Sequence, residues 1–131
     1  MSLFVTNFKW VMFISGLVTC SMFFGLISPQ SQLISIFGTP LEGPLAEVIV
    51  RNWSALIGLI GIMLIYGAFV PAVRRYSLVI AATSKIFFIV LVLSFGKPYL
   101  ELGAGNAVIA DSLMIVLFTI YLFLSRSLKL R

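Results

Sequence analysis

Four long apolar runs constrain this chain more than any other feature. They lie at roughly Phe8–Ile27, Ala46–Val70, Tyr76–Phe95 and Asn106–Leu124. Each is near the length of about 20 residues that a helix needs to cross a bilayer. Backbone amides in hydrocarbon must be paired within the protein, and continuous apolar runs of this length do so as helices. Short connections between consecutive spans make them antiparallel neighbours. The expected fold is all-α: one integral membrane domain over residues 1–131, an antiparallel four-helix transmembrane bundle. Composition agrees, with 61% hydrophobic and only 10% charged residues, against about a quarter charged in globular chains. The formal charge of +5 resides in short flanks beside apolar runs, which fits orientation in a membrane and not nucleic acid. The run 8–27 continues past Leu17-Val18-Thr19-Cys20, so it reads as a span and not as a lipoprotein leader.

Redox and metal chemistry find little to work with. The one cysteine is Cys20, and histidine is absent, so no intrachain disulfide, CxxC centre or histidine-held metal is expected. The resident cofactor expectation is none, with room left for a quinone or a lipid. Met22, Met63 and Met114 are scattered and read as packing residues.

Charge separates the two ends of the expected bundle. Lys9, Arg74, Arg75, Arg126, Lys129 and Arg131 fall at one end with no acid among them. Arg51 and Lys97 face Glu42, Glu47 and Glu101 at the other. The positive-inside bias then puts both termini in the cytoplasm. The first set defines the basic end of the bundle, and the second the acidic end.

The second span opens with Pro44, then Glu47, Arg51, Asn52 and Trp53 within its first three turns. Pro44 suits a first helical turn, where its missing N–H would be unpaired anyway. Ser54, Gly58, Gly61 and Ala68 follow at spacings of four, three and seven. They share one helical face, where small residues let a second helix approach closely. Ser21 and Gly25 in the first span and Gly67 in the second are expected in the same packing, with Ile60 pointing elsewhere. The connection 28–43 holds Leu33, Ile34, Ile36 and Phe37, a short interfacial turn. Residues 71–75 read as a tight link.

Two ionisable residues lie deep in spans: Lys85 in the third and Asp111 in the fourth. At about 1.5 Å per residue, Lys85, Asp111 and Arg51 sit at successive depths about 7–8 Å apart. The spacing permits a ladder Lys85–Asp111–Arg51–Glu47 with Asn52 beside it, Glu47 and Arg51 being a favoured i, i+4 pair. Two readings stay open. Intramembrane ionisable residues default to function, here a polar pocket for a ligand head group or a proton relay. A neutralised network can equally lock four helices in one arrangement.

With Ser28-Pro29 closing the first span, a short loop containing Gly38, then Glu47, Arg51 and a glycine-punctuated second helix, the chain resembles the DoxX-like proteins, small four-helix bacterial membrane proteins. The resemblance covers nearly the whole chain, rests on topology and spacing, and implies a link to quinones or respiration. The chain lacks the cysteine pairs of vitamin K epoxide reductase and DsbB-type enzymes. It also lacks the first-helix carboxylate of small multidrug transporters. The expectation is a non-catalytic accessory or binding protein for a lipid or quinone-like amphiphile. Membrane lipids, a second copy or a larger membrane complex are its expected partners. A proton-coupled carrier using Asp111 and Lys85, and an enzyme acting on a lipid, are the alternatives.

Overall fold

Proline or glycine opens each α-helix after the first span, at Pro29, Pro44, Pro71 and Gly103. The computed structural model describes residues 2–129, with side chains for 3–126. Its helices are α1 (Ser2–Cys20), α2 (Phe24–Ile27), α3 (Pro29–Phe37), α4 (Pro44–Phe69), α5 (Pro71–Phe95) and α6 (Gly103–Lys129). Tight 3-10 turns at Ser21–Phe23 and Lys97–Glu101 complete the elements, and no strand occurs among the described residues. Pro29, Pro44 and Pro71 each occupy a first helical turn.

α1, the following turn and α2 form one continuous apolar helix, Leu3–Ile27. With α4, α5 and α6 it makes four helices long and apolar enough to cross a membrane. The chain is an all-α bundle and a multi-pass membrane protein. Its directions follow from side-chain contacts at the basic end. Phe8, near the start of α1, stacks on Tyr121, near the end of α6, at 4.1 Å. Phe13 meets Phe69, the last residue of α4, at 5.7 Å. So α1 and α5 run one way, and α4 and α6 the other.

Two helix starts differ from the sequence reading. α1 begins at Ser2, before Phe8, and the presumed link 71–75 is the first turn of α5. The reversal uses Val70 alone, at φ −122° and ψ 92°. Proline disfavours the helical region for the residue before it, which stops α4, and its fixed φ starts α5 at once. Arg74 then folds back over the end of α4. Its Nε donates to the Gly67 carbonyl at 3.0 Å and Nη2 to that of Ala68 at 2.7 Å. Its Nη1 donates to the Tyr121 hydroxyl at 3.4 Å. A cation on the unpaired carbonyls of a helix C-terminus is favourable both as a hydrogen bond and against the helix dipole. Lys129 and Arg131, assigned to the same end, lie outside the described side chains.

The α1–α4 crossing brings backbone against backbone. A Cβ at Gly61 would lie 2.6 Å from the Cys20 nitrogen and 2.7 Å from the Gly16 carbonyl oxygen. A Cβ at Gly58 would meet the Phe23 ring at 2.6 Å. The small face of α4 is buried as expected, at Ser54, Gly58, Gly61, Gly67 and Ala68. Two assignments change. Ser21 is exposed, bonded to the Val18 carbonyl, and Gly16 occupies the crossing instead. Ile60 is half-buried against the core and does not point away from it.

The core fills the basic half of the bundle. Phe8, Met12, Leu64, Leu78, Ala81 and Phe118 are each 0% exposed. At the acidic end the connection 28–43 is more than a turn. It contains the nine-residue α3, closed by Gly38 at φ 76°, whose N–H bonds the Ile34 carbonyl at 2.9 Å. That left-handed cap suits glycine, which has no Cβ to clash. α3 rests on the start of α6, where Gly103 lies directly against the Ser35 carbonyl. Phe37 reaches the Tyr99 ring at 5.2 Å and the Trp53 ring at 6.3 Å.

Candidate functional site

Lys85 and Asp111 are brought together in the middle of the bundle. The Lys85 ammonium lies 3.0 Å from Asp111 Oδ1, with the two side chains 8% and 19% exposed. Lys85 is the fifteenth residue of α5, so its backbone is well inside the span whichever end is counted from. The same ammonium donates to Thr19 Oγ1 at 3.4 Å, and Thr19 donates in turn to the Ser15 carbonyl at 2.7 Å. Three helices are thereby tied through one nitrogen. An isolated ammonium here would cost several kcal/mol, of order, in lost hydration. A carboxylate and a hydroxyl at bonding distance offset much of that. Two of the three N–H donors of Lys85 are used, and the third is unassigned.

Thr19 is the partner that the sequence reading missed. Its signal was present on α1, where Phe8, Met12, Ser15, Gly16 and Thr19 recur at helical spacing and are all buried. Polar residues on a buried face need partners, and Lys85 was the donor without enough acceptors.

The expected ladder separates into two pairs. Arg51 Nε lies 2.9 Å from Glu47 Oε2, both side chains about two-fifths exposed, at 43% and 38%. Arg51 Nη1 turns to the Leu26 carbonyl, at the end of α2. No bond joins Arg51 to Asp111, and Asn52 is exposed and joins neither pair. The axial heights were compatible with a ladder. The facing was not, because Arg51 points towards the end of the first span.

A cavity of about 160 Å³ lies on the acidic side of the buried pair. Lys85, Asp111 and Ser84 form part of its wall, and Trp53, Ile57 and Phe88 supply apolar surface. Ile36 of α3 reaches it from the acidic end. Below the pair, towards the basic end, the packed core of Met12, Leu64, Leu78 and Phe118 closes the bundle. The cavity is therefore closed towards the basic end, with an ion pair beside its floor. A dry apolar cavity of about 150 Å³ accepts a molecule the size of benzene, so one six-membered ring fits here.

No family model, no curated protein and no solved structure matches this chain.

Proposed function

We propose that this four-span membrane protein is a non-catalytic binding or accessory protein that takes the head of a lipid or quinone-like amphiphile into the cavity beside Lys85 and Asp111. One observation carries the reading: an apolar, ring-sized cavity ends on a buried ammonium with a donor to spare. Binding sites of small molecules commonly have that composition, mostly apolar walls with a few placed polar groups. The resemblance to DoxX-like proteins supports a link to quinones and a location in a bacterial inner membrane. The charge asymmetry between the ends supports cytoplasmic termini and a cavity towards the opposite face.

The buried Lys85–Asp111 pair also suits a proton-coupled carrier, as intramembrane ionisable residues often do. Transport needs access from both sides, and the packed core between the pair and the basic end argues against it. An enzyme acting on a lipid ranks below both readings, because the hydroxyl bonded to Lys85, that of Thr19, directs its proton to the Ser15 carbonyl and not to a base.

Native mass spectrometry from mild detergent tests the binding reading. The wild type should retain a small amphiphile, and Ala110→Phe, which fills the cavity from α6, should lose it. Ile109→Phe, on the exposed side of the same helix, should retain it. Equal retention by all three proteins would rule the cavity out as the binding place.

A further inference from the structure

Trp53 and Phe88 each border two voids. On one side is the cavity beside Lys85 and Asp111. On the other is a groove of about 380 Å³ along α4, α5 and α3, towards the acidic end. Ile49 and Trp53 of α4, Phe88, Leu91 and Phe95 of α5, and Tyr99 line this groove. It carries no carboxylate, ammonium or guanidinium, whereas the inner cavity has one of each sign in contact. Leu91 and Phe95 are exposed, so the groove opens sideways to whatever surrounds the helices, which in a bilayer is lipid.

We infer that the two voids are subsites for a single molecule. An uncharged head lies in the inner cavity, one apolar tail lies in the outer groove, and Trp53 and Phe88 form the portal between them. This rests on the reading of the inner cavity as a binding site and goes further, assigning the class of occupant and its route from the bilayer. The tail assignment follows from continuity: both voids touch the same two aromatic rings, and the groove opens to the outside of the bundle at Leu91 and Phe95. It runs from Phe88 to Gly96 on α5, about 12 Å of helix axis, which suits a linear chain better than a compact group.

The absence of charge on the head follows from electrostatics. Lys85 and Asp111 already neutralise each other at 3.0 Å, and no other ionisable side chain lines the cavity. A phosphate, carboxylate or quaternary ammonium would enter a low-dielectric site with no free counter-charge, which is strongly unfavourable. A carbonyl, ether or hydroxyl oxygen, by contrast, accepts the remaining Lys85 N–H without changing the net charge. A two-chain phospholipid fits neither the ring-sized cavity nor this charge balance.

Trp53 fluorescence reads both subsites. Trp10→Phe leaves Trp53 as the sole tryptophan, and the protein is placed in phosphatidylcholine nanodiscs. Two quenchers are titrated, a decyl-substituted benzoquinone and the same benzoquinone without its tail. Leu91→Phe and Ile49→Phe narrow the groove from its two walls. Each should weaken the tailed probe by about tenfold, the loss of roughly two buried methylenes, and leave the tail-less probe unchanged. Unchanged tail-less binding also reports that the variant is folded. Decanol should displace the tailed probe, and decanoate should not.

Equal weakening of both probes in the groove variants, or no weakening of either, would overturn the tail subsite. Competition by decanoate as effective as that by decanol would overturn the uncharged head. Quenching of Trp53 by brominated phospholipid that the tailed probe cannot displace would assign the groove to bulk lipid. Shielding of Trp53 from every quencher would assign it to a second copy, and either result overturns the proposal. Failure of the cavity reading looks different, since Ala110→Phe would then leave the tail-less probe unaffected.

Discussion

Lys85 is held by an acid from α6 and a hydroxyl from α1, so removing either partner acts on a charge that stays behind. Asp111→Asn leaves the ammonium buried without its counter-charge. Breaking a buried pair in this way costs about 3–5 kcal/mol in soluble proteins. The loss here should be smaller, because a long cationic side chain can reach out and water can enter a bilayer. Lys85→Met combined with Asp111→Asn should recover part of that loss. A double-mutant cycle on thermal unfolding in detergent measures the coupling, and simple additivity would show that the 3.0 Å contact carries no net interaction. The pair was legible from sequence, because two ionisable residues stand out in apolar runs. Its separation from Arg51 was not. Residue counting gives height along a helix, but which way a side chain faces depends on the rotation of four helices about their axes. Arg74 shows the same limit. In sequence it is one more basic residue at the end of a span, and only the sharp reversal at Val70 puts its guanidinium on the carbonyls of Gly67 and Ala68.

At the scale of helices, the α1–α4 crossing is set by backbone meeting backbone. Gly61→Ala would place a methyl against the Cys20 nitrogen and the Gly16 carbonyl, neither of which can rotate away. Gly58→Ala meets the Phe23 ring, which can turn. Gly61→Ala should therefore cost at least the 1–3 kcal/mol, roughly, typical of overpacking, and Gly58→Ala less. Leu59→Ala, on the exposed side of α4, serves as the control. Melting temperatures in a mild detergent give the order, and equal values at positions 58 and 61 would contradict the backbone contact. The α4 half of this crossing could be read from the spacing of small residues. On the first span Gly25 packs against Ser54 as expected, but Ser21 and Gly16 are both small and only burial separates them. α3 was under-read because nine residues are too few to show a clear helical period. Its boundaries, Pro29 and Gly38, were nevertheless noted in the sequence.

For the whole molecule, the basic and acidic ends imply an orientation that labelling can check. Cysteines at Ser2 and Ser127 in a Cys20-free background should resist an impermeant thiol reagent in intact cells. One at Ser31, exposed on α3, should react. Labelling at both termini from outside would invert the orientation. The two ends also differ in how firmly they are closed. At the basic end, Phe8 stacks on Tyr121 and Arg74 clasps the end of α4. The other end holds the cavity, the groove and the short α3. If the helices part to admit a molecule, the stacked end is the fulcrum and the splay is confined to one leaflet. The work of opening is then done against the lateral pressure of that leaflet alone. Its acyl-chain packing becomes a control on occupancy that the opposite monolayer does not share.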